Sequence, residues 1–148
     1  MLARYGILIE PEPDMLTPPE LFPKRPAYVV RDGDGGRKLD VMAWGFPPPA
    51  AGRAPVTNVR NLASPFWRTA LSRPDRRCLV PVTDFCEWEG EAGSKVARWF
   101  SIPSRPLFSF AGVWRPTDNG PAFAFLTCEP NSIVGAVHPQ GHAGDTAR

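Results

Sequence analysis

Nineteen of the 148 residues are proline, and they are scattered along the chain from Pro11 to Pro139. Each one fixes φ near about −65° and removes a backbone donor, which breaks a helix interior at a cost of roughly 3 kcal/mol. A chain punctuated this way cannot build long helices. It is expected to fold as short strands joined by turns. The length suits one domain with its own core, and 43% hydrophobic against 22% charged residues is ordinary for a soluble globular protein.

The charge balance is close to neutral, with 17 Lys and Arg against 15 Asp and Glu, a net charge of +2. That total does not argue for nucleic acid. The distribution says slightly more: Lys24 adjoins Arg25, and Arg73, Arg76 and Arg77 cluster. Such groups fit either a weak polyanion site or a solvated face. The three cysteines, Cys78, Cys86 and Cys128, form no Cys-x-x-Cys pair and are odd in number. Neither a disulfide framework nor a zinc site is expected, and a reducing compartment is. The opening "MLARYGILIE" lacks the basic–apolar–small order of a signal peptide, and no apolar run is long enough to span a bilayer. A soluble, cytoplasmic protein follows.

The segment "MLARYGILIE" reads as a short strand or the end of a helix, and "PEPDMLTPPELFPKRP" as loop. Tyr28–Arg31 and Leu39–Phe46 read as a hairpin about the turn Asp32–Gly36. Ser64 as N-cap and Pro65 in the first position predict a helix with an apolar side of Phe66, Trp67, Ala70 and Leu71. Four strands should follow: Cys78–Trp88, "VARWFSI", "PLFSFAGVW" and "AFAFLTC". The segment "EPNSIVGAVH" fits a short helix or a loop. Residues 140–148 have neither periodicity nor an apolar anchor and read as a disordered tail. No repeat or second boundary interrupts a single domain over 1–148.

One residue contradicts the strand that carries it. "RRCLVPVTDFCEWEG" reads as buried, yet it holds Glu87. A buried acid is costly unless it is paired or used. Alternation puts Glu87 on the side of Phe85 and Glu89, opposite Cys86 and Trp88, with Glu89 at the turn and in reach of water. Glu87 fits a base of raised pKa or a partner for an arginine, and the residues alone lean to the ion pair. Asn58 and Arg60 flank Val59 and share a face if the segment is a strand. They can bind a phosphate or carbonyl oxygen, or equally satisfy loop carbonyls. His138 and His142 have helical metal-pair spacing, but Pro139, Gly141 and Gly144 oppose a helix and no third ligand is near. "DGDGG" lacks the closing Glu of a calcium loop. No metal or cofactor is expected.

The segments "VMAWGF", "TNVRN", "RRCLVPVTDFCEWEG", "FSFAGVW", "FAFLTCEPN" and "VHP" occur in this order between about Pro18 and Pro139. As an ordered set they resemble the SRAP family, the SOS response-associated peptidases or abasic site processing proteins. The resemblance implies an α+β fold: a strongly curved, barrel-like, mainly antiparallel β-sheet with a few short helices. It also implies covalent capture of abasic sites in single-stranded DNA during the DNA damage response, and autoproteolysis at the protein's own N-terminus. In that chemistry an N-terminal cysteine attacks the ring-opened sugar aldehyde through its α-amine, and its thiol closes a thiazolidine. By resemblance Asn58, Glu87 and His138 are the catalytic group: Glu87 moves protons, Asn58 positions the N-terminus and the sugar, and His138 assists proton transfer to the sugar oxygen. Arg60 would hold a DNA phosphate, Trp44 would stack on a base, and Pro26 and Thr127 would line the cleft.

The sequence departs from that pattern at both ends. Position 2 is Leu2, and the three cysteines carry no free α-amine beside their thiols. "HPQGHAGDTAR" stands where the family continues into an apolar strand and a helix. The nucleophile-bearing segment is therefore expected to be missing, and the chain to be a marginally stable monomer. A non-catalytic single-stranded-DNA-binding remnant, or a non-functional fragment, is the alternative expectation.

Overall fold

The computed structural model describes residues 2–9, 20–137 and 146–147. Strands β2 (Pro26–Gly33), β3 (Gly36–Trp44), β5 (Arg77–Val82), β8 (Phe108–Arg115) and β9 (Ala122–Leu126) form a ring. Their order is β3-β2-β5-β8-β9, and β9 pairs back onto β3 to close a five-stranded barrel. Four of the pairings are antiparallel, and the closing one, Ala43↔Ala122 and Trp44↔Phe123, is parallel. The barrel-like α+β architecture inferred from the ordered motifs is the one observed.

The barrel is filled by the inward residues of all five strands: Ala27 and Val29, Met42 and Trp44, Cys78, Val80 and Val82, Phe123 and Phe125, with Phe108, Phe110 and Trp114 packed against them. A second cluster on the outer face, Phe46, Val59, Val113, Ala122 and Ala124, is covered by Trp67 and Ala70. These last two flank and belong to α2 (Arg68–Leu71). At one end of β8 the barrel is closed by Trp114, with the guanidinium of Arg76 at 4.3 Å and that of Arg31 at 4.7 Å from the ring centre. Arg31 also holds Asp40 at 2.7 Å.

Three short strands attach to this ring. The first, β1 (Ile7–Ile9), follows the one-turn helix α1 (Leu2–Tyr5) and pairs parallel with the start of β3. Next, β4 (Asn58–Val59) pairs parallel with the end of β9. Finally β6 (Asp84–Glu89), β7 (Val96–Ser101) and β10 (Thr146–Ala147) form a separate sheet. Stacking of Phe85 on Phe100, and edge contacts from Phe85 to Phe108 and Phe110, fix that sheet over the barrel end opposite Trp114.

Three local expectations are corrected. Cys78–Trp88 is not one strand: the chain bends at Thr83, so β5 stays in the barrel and β6 leaves it. The helix expected from Ser64 starts only at Arg68, and its N-cap Trp67 makes no side-chain bond. Residues 64–68 are consumed in tight turns, with the Trp67 N–H on the Ser64 carbonyl and the Arg68 N–H on that of Pro65. Within the tail expected to be disordered, Thr146 and Ala147 pair with Cys86 and Phe85. The hairpin is as expected, with longer strands: Pro26–Gly33 against Gly36–Trp44.

Gly112 lets β8 pass close to its neighbours. A Cβ there would lie 2.9 Å from the Ala124 carbonyl oxygen and 3.1 Å from the Cys78 sulfur. Gly33, by contrast, has nothing nearer than 3.6 Å. Gly112→Ala is expected to cost about 1–3 kcal/mol in denaturant unfolding, as overpacking does. Gly33→Ala is expected to stay within about 0.5 kcal/mol of the parent.

Candidate active site

Glu87 is 3% exposed, and among the described residues it is the one buried polar or charged residue. The strand β6 buries both Cys86 and Glu87, so it is covered on both faces. The residue across the ladder from Glu87 is Arg98, whose guanidinium pairs with the exposed Glu89 at 2.5 Å. Glu87 lines a cavity of about 230 Å³ together with Phe85, Phe110, Thr127, Cys128 and Asn131, among others. The aromatic side chains make its floor apolar. A carboxyl group in such a wall is placed to give or take a proton where water competes poorly.

Asn58 reaches this end of the barrel by a different route. It opens β4 opposite Phe125, and paired residues present their side chains to the same face. Phe125 touches Phe110 at 5.2 Å between ring centres, and Phe110 touches Phe85 at 5.4 Å. Among the described residues, the buried Asn58 Oδ1 atom meets no hydrogen-bond partner. An unmet buried acceptor costs about 1–3 kcal/mol. Thr127 joins the two halves. Its hydroxyl and its N–H both donate to the Val59 carbonyl, at 3.0 and 3.2 Å, while its side chain also lines the Glu87 cavity.

The other expected site residues divide. Arg60 lies just past the end of β4, exposed, and so does not share the buried environment of Asn58. Pro26 opens β2 opposite Ala43, at the closing seam, and is not part of the Glu87 cavity wall. His138 lies outside the described residues. The expectation that Trp44 stacks on a base is corrected: Trp44 is fully buried, packs on Phe125 at 5.0 Å, and donates its indole N–H to the Thr57 carbonyl. A base needs an exposed ring face, and parity with Met42 turns this one into the barrel. The arginine cluster is largely structural as well. Arg73 pairs with Asp75 at 2.7 Å, a contact that raises the pKa of Arg73 and lowers that of Asp75, and Arg76 lies over Trp114.

Two cavity residues were not singled out from the sequence. Cys128 is exposed at the cavity wall. Asn131 caps the helix α3 (Ser132–Val137) through its Oδ1, which accepts the N–H groups of Ile133 and Val134. An Asn one residue before Ser-Ile-Val is the cap signal that was available. The thiol of Cys78, inside the barrel, is pushed up by burial to about 12. Among the described residues no group of three His, Cys, Asp or Glu side chains could hold a metal, and no helix is long and apolar enough to cross a membrane.

Comparison with known proteins agrees with this architecture. A family model described as SOS response associated peptidase (SRAP) matches residues 10–140. The abasic site processing protein YoaM of Bacillus subtilis (strain 168) is 26% identical, over 80% of this chain and 63% of its own length. The chain thus spans less than two thirds of that relative. A crystal structure from Bordetella bronchiseptica superposes with a TM-score of 0.64 at 16% identity, over 95% of this chain and 72% of the other. One from Bacteroides thetaiotaomicron gives 0.52 at 21% identity, over 78% and 55%. At these identities the two structures speak for the fold.

Two outcomes follow. Asn58→Leu removes the unmet acceptor at similar volume and is expected to raise unfolding free energy by about 1 kcal/mol in urea titrations. The Cys78 thiol carries its proton in both states below its ordinary value of 9.0, and above that value the unfolded chain loses it first. Stability should therefore fall between about pH 9 and 12, by up to about 1.4 kcal/mol per pH unit from this group. The stability gap between the parent and Cys78→Ala, measured by unfolding at pH 8 and at pH 10.5, should narrow by that slope. A constant gap would contradict it.

Proposed function

This chain belongs to the SRAP (SOS response associated peptidase) family, and from that membership and the cavity around Glu87 we propose that it binds single-stranded DNA and processes abasic sites. The observation that carries the proposal is the buried carboxyl of Glu87 in an apolar cavity wall. An abasic site exposes a ring-opened sugar aldehyde. When an amine adds to that aldehyde carbon, the carbinolamine must lose its hydroxyl as water to give an imine. One proton goes to the departing oxygen and one leaves the nitrogen. Glu87 is the group that exchanges them, with His138 in a supporting role. The unmet Asn58 Oδ1 accepts a hydrogen bond from a sugar hydroxyl or from the attacking amine. Arg60, exposed beside it, takes a phosphate oxygen. The abasic site processing named for YoaM supports the same substrate. Such a role implies action in the cytoplasm, on the nucleoid.

Closing a thiazolidine requires the amine and the thiol on one residue. Cys78, Cys86 and Cys128 are internal. Removal of an initiator methionine by Glu87, the peptidase reaction of the family, likewise serves to free an N-terminal cysteine.

Fluorescence anisotropy with labelled single-stranded oligonucleotides tests the proposal. The chain should bind a strand with one abasic site about tenfold tighter than the intact strand. Glu87→Gln and Asn58→Leu should erase that preference and leave intact-strand binding unchanged, since each removes a contact of roughly 1–2 kcal/mol. Arg60→Ala should weaken both alike. An undiminished preference in both cavity variants would refute the assignment.

A further inference from the structure

Two short helices cover the outer face of the barrel in two places. Tyr5, in α1, packs with Val30 and Leu39. Trp67 and Ala70, at α2, pack with Val113, Ala122 and Ala124. Between these coverings the outward residues of β5 and β8 lie open. Leu39 pairs with Val30, Val30 with Leu79, and Leu79 with Ala111. Paired residues share a face, so the four form one apolar row across four strands. The solvated face of an antiparallel sheet ordinarily carries polar side chains. Here Leu79 is 38% exposed, and Ala111 beside it is exposed as well.

Leu79 and Ala111 line a cavity of about 300 Å³ on this face, and Leu126 lines it too. Its rim is basic: Arg31, Arg37 and Arg77 line it, against the one carboxylate of Asp32. Arg31 is committed to Asp40. One nitrogen of Arg37 donates to the Tyr5 carbonyl at 3.0 Å, which anchors its guanidinium at the cavity edge. Arg77 is exposed and makes no ion pair among the described residues. Arg37 and Arg77 are therefore the cations open to a ligand.

The apolar floor and the basic rim together select the ligand. A nucleic-acid backbone would meet the arginines and leave Leu79 bare. A purely apolar segment would cover Leu79 and leave the arginines unmatched. A peptide that carries carboxylates beside an apolar side chain matches both. We propose that this face of the barrel docks an acidic peptide segment of a partner protein, with an apolar side chain on Leu79 and Ala111 and carboxylates on Arg37 and Arg77. This is an interaction beyond the proposed action on DNA and does not depend on it. Leu126 lines both this cavity and that of Glu87, so a docked partner is held beside the candidate site.

The test is a titration of the isotope-labelled chain with the hexapeptide Glu-Leu-Glu-Glu-Leu-Glu, followed through its amide resonances. Those of Val30, Leu79 and Ala111 should shift and saturate, with a dissociation constant on the order of 0.1 mM. The amide of Asn131, at the Glu87 cavity, should not move. Peptides with Lys for Glu, or Ser for Leu, should leave all of them in place. Leu79→Gln and Arg77→Gln should each weaken binding of the acidic peptide about tenfold, the first through the apolar contact and the second through the charge. Both side chains are exposed, so neither change should lower the melting temperature. Affinity of both variants for the abasic oligonucleotide should stay within about twofold of the parent, since exposed charges are screened over a distance. Absence of saturable shifts, or undiminished binding in both variants, would overturn the proposal and leave the reading on DNA untouched. Displacement of the peptide by an oligonucleotide would overturn it too, by making the face a nucleic-acid surface. So would a dimer of the parent that Leu79→Gln dissociates, which would make the face a contact between copies of the chain.

Discussion

A ring of five strands cannot close with every neighbour antiparallel. Strand direction alternates from one neighbour to the next, and an odd count leaves one pair running the same way. Here that pair is β3 and β9, and it spans two residues on each strand. Parallel pairing is the weaker kind, and the short seam leaves most of both edges open. The remaining edge of β3 is taken by β1 and that of β9 by β4. The second of these brings Asn58 to the barrel end, where Thr127 ties its strand in place. The candidate site is thus a consequence of how the barrel closes.

The two ends of the barrel solve the same problem in opposite ways. At one end polar groups are satisfied internally: Arg31 meets Asp40, and Arg31 and Arg76 lie over Trp114. At the other end Phe85 and Phe110 line a cavity with the buried Glu87, and among the described residues the Asn58 amide oxygen meets no partner. The first arrangement stabilises the fold. The second leaves the Asn58 oxygen unmet, at a cost to stability.

Much of this was legible in the sequence. The Asp32–Gly36 turn located its hairpin because turn chemistry is local. Glu87 stood out because it placed a carboxylate inside a run that reads as buried, and burial is what the structure gives it. Asn58 was open between a loop role and a binding role, and its buried oxygen, unmet among the described residues, supports the binding role. What could not be read depends on distant partners. Trp44 on a strand can face either way until the barrel closes around it. The arginines at 73–77 suggested a polyanion site until Trp114, far along the chain, drew one of them in.

The most direct test of the account is a crystal structure of the chain with a short single strand carrying a stable abasic analogue. The account predicts the baseless sugar at the Phe85–Phe110 floor. It should lie within hydrogen-bond reach of both the Glu87 carboxyl and the Asn58 oxygen, so that the buried acceptor gains its missing donor. A sugar bound elsewhere, with the Asn58 oxygen still unmet, would contradict it.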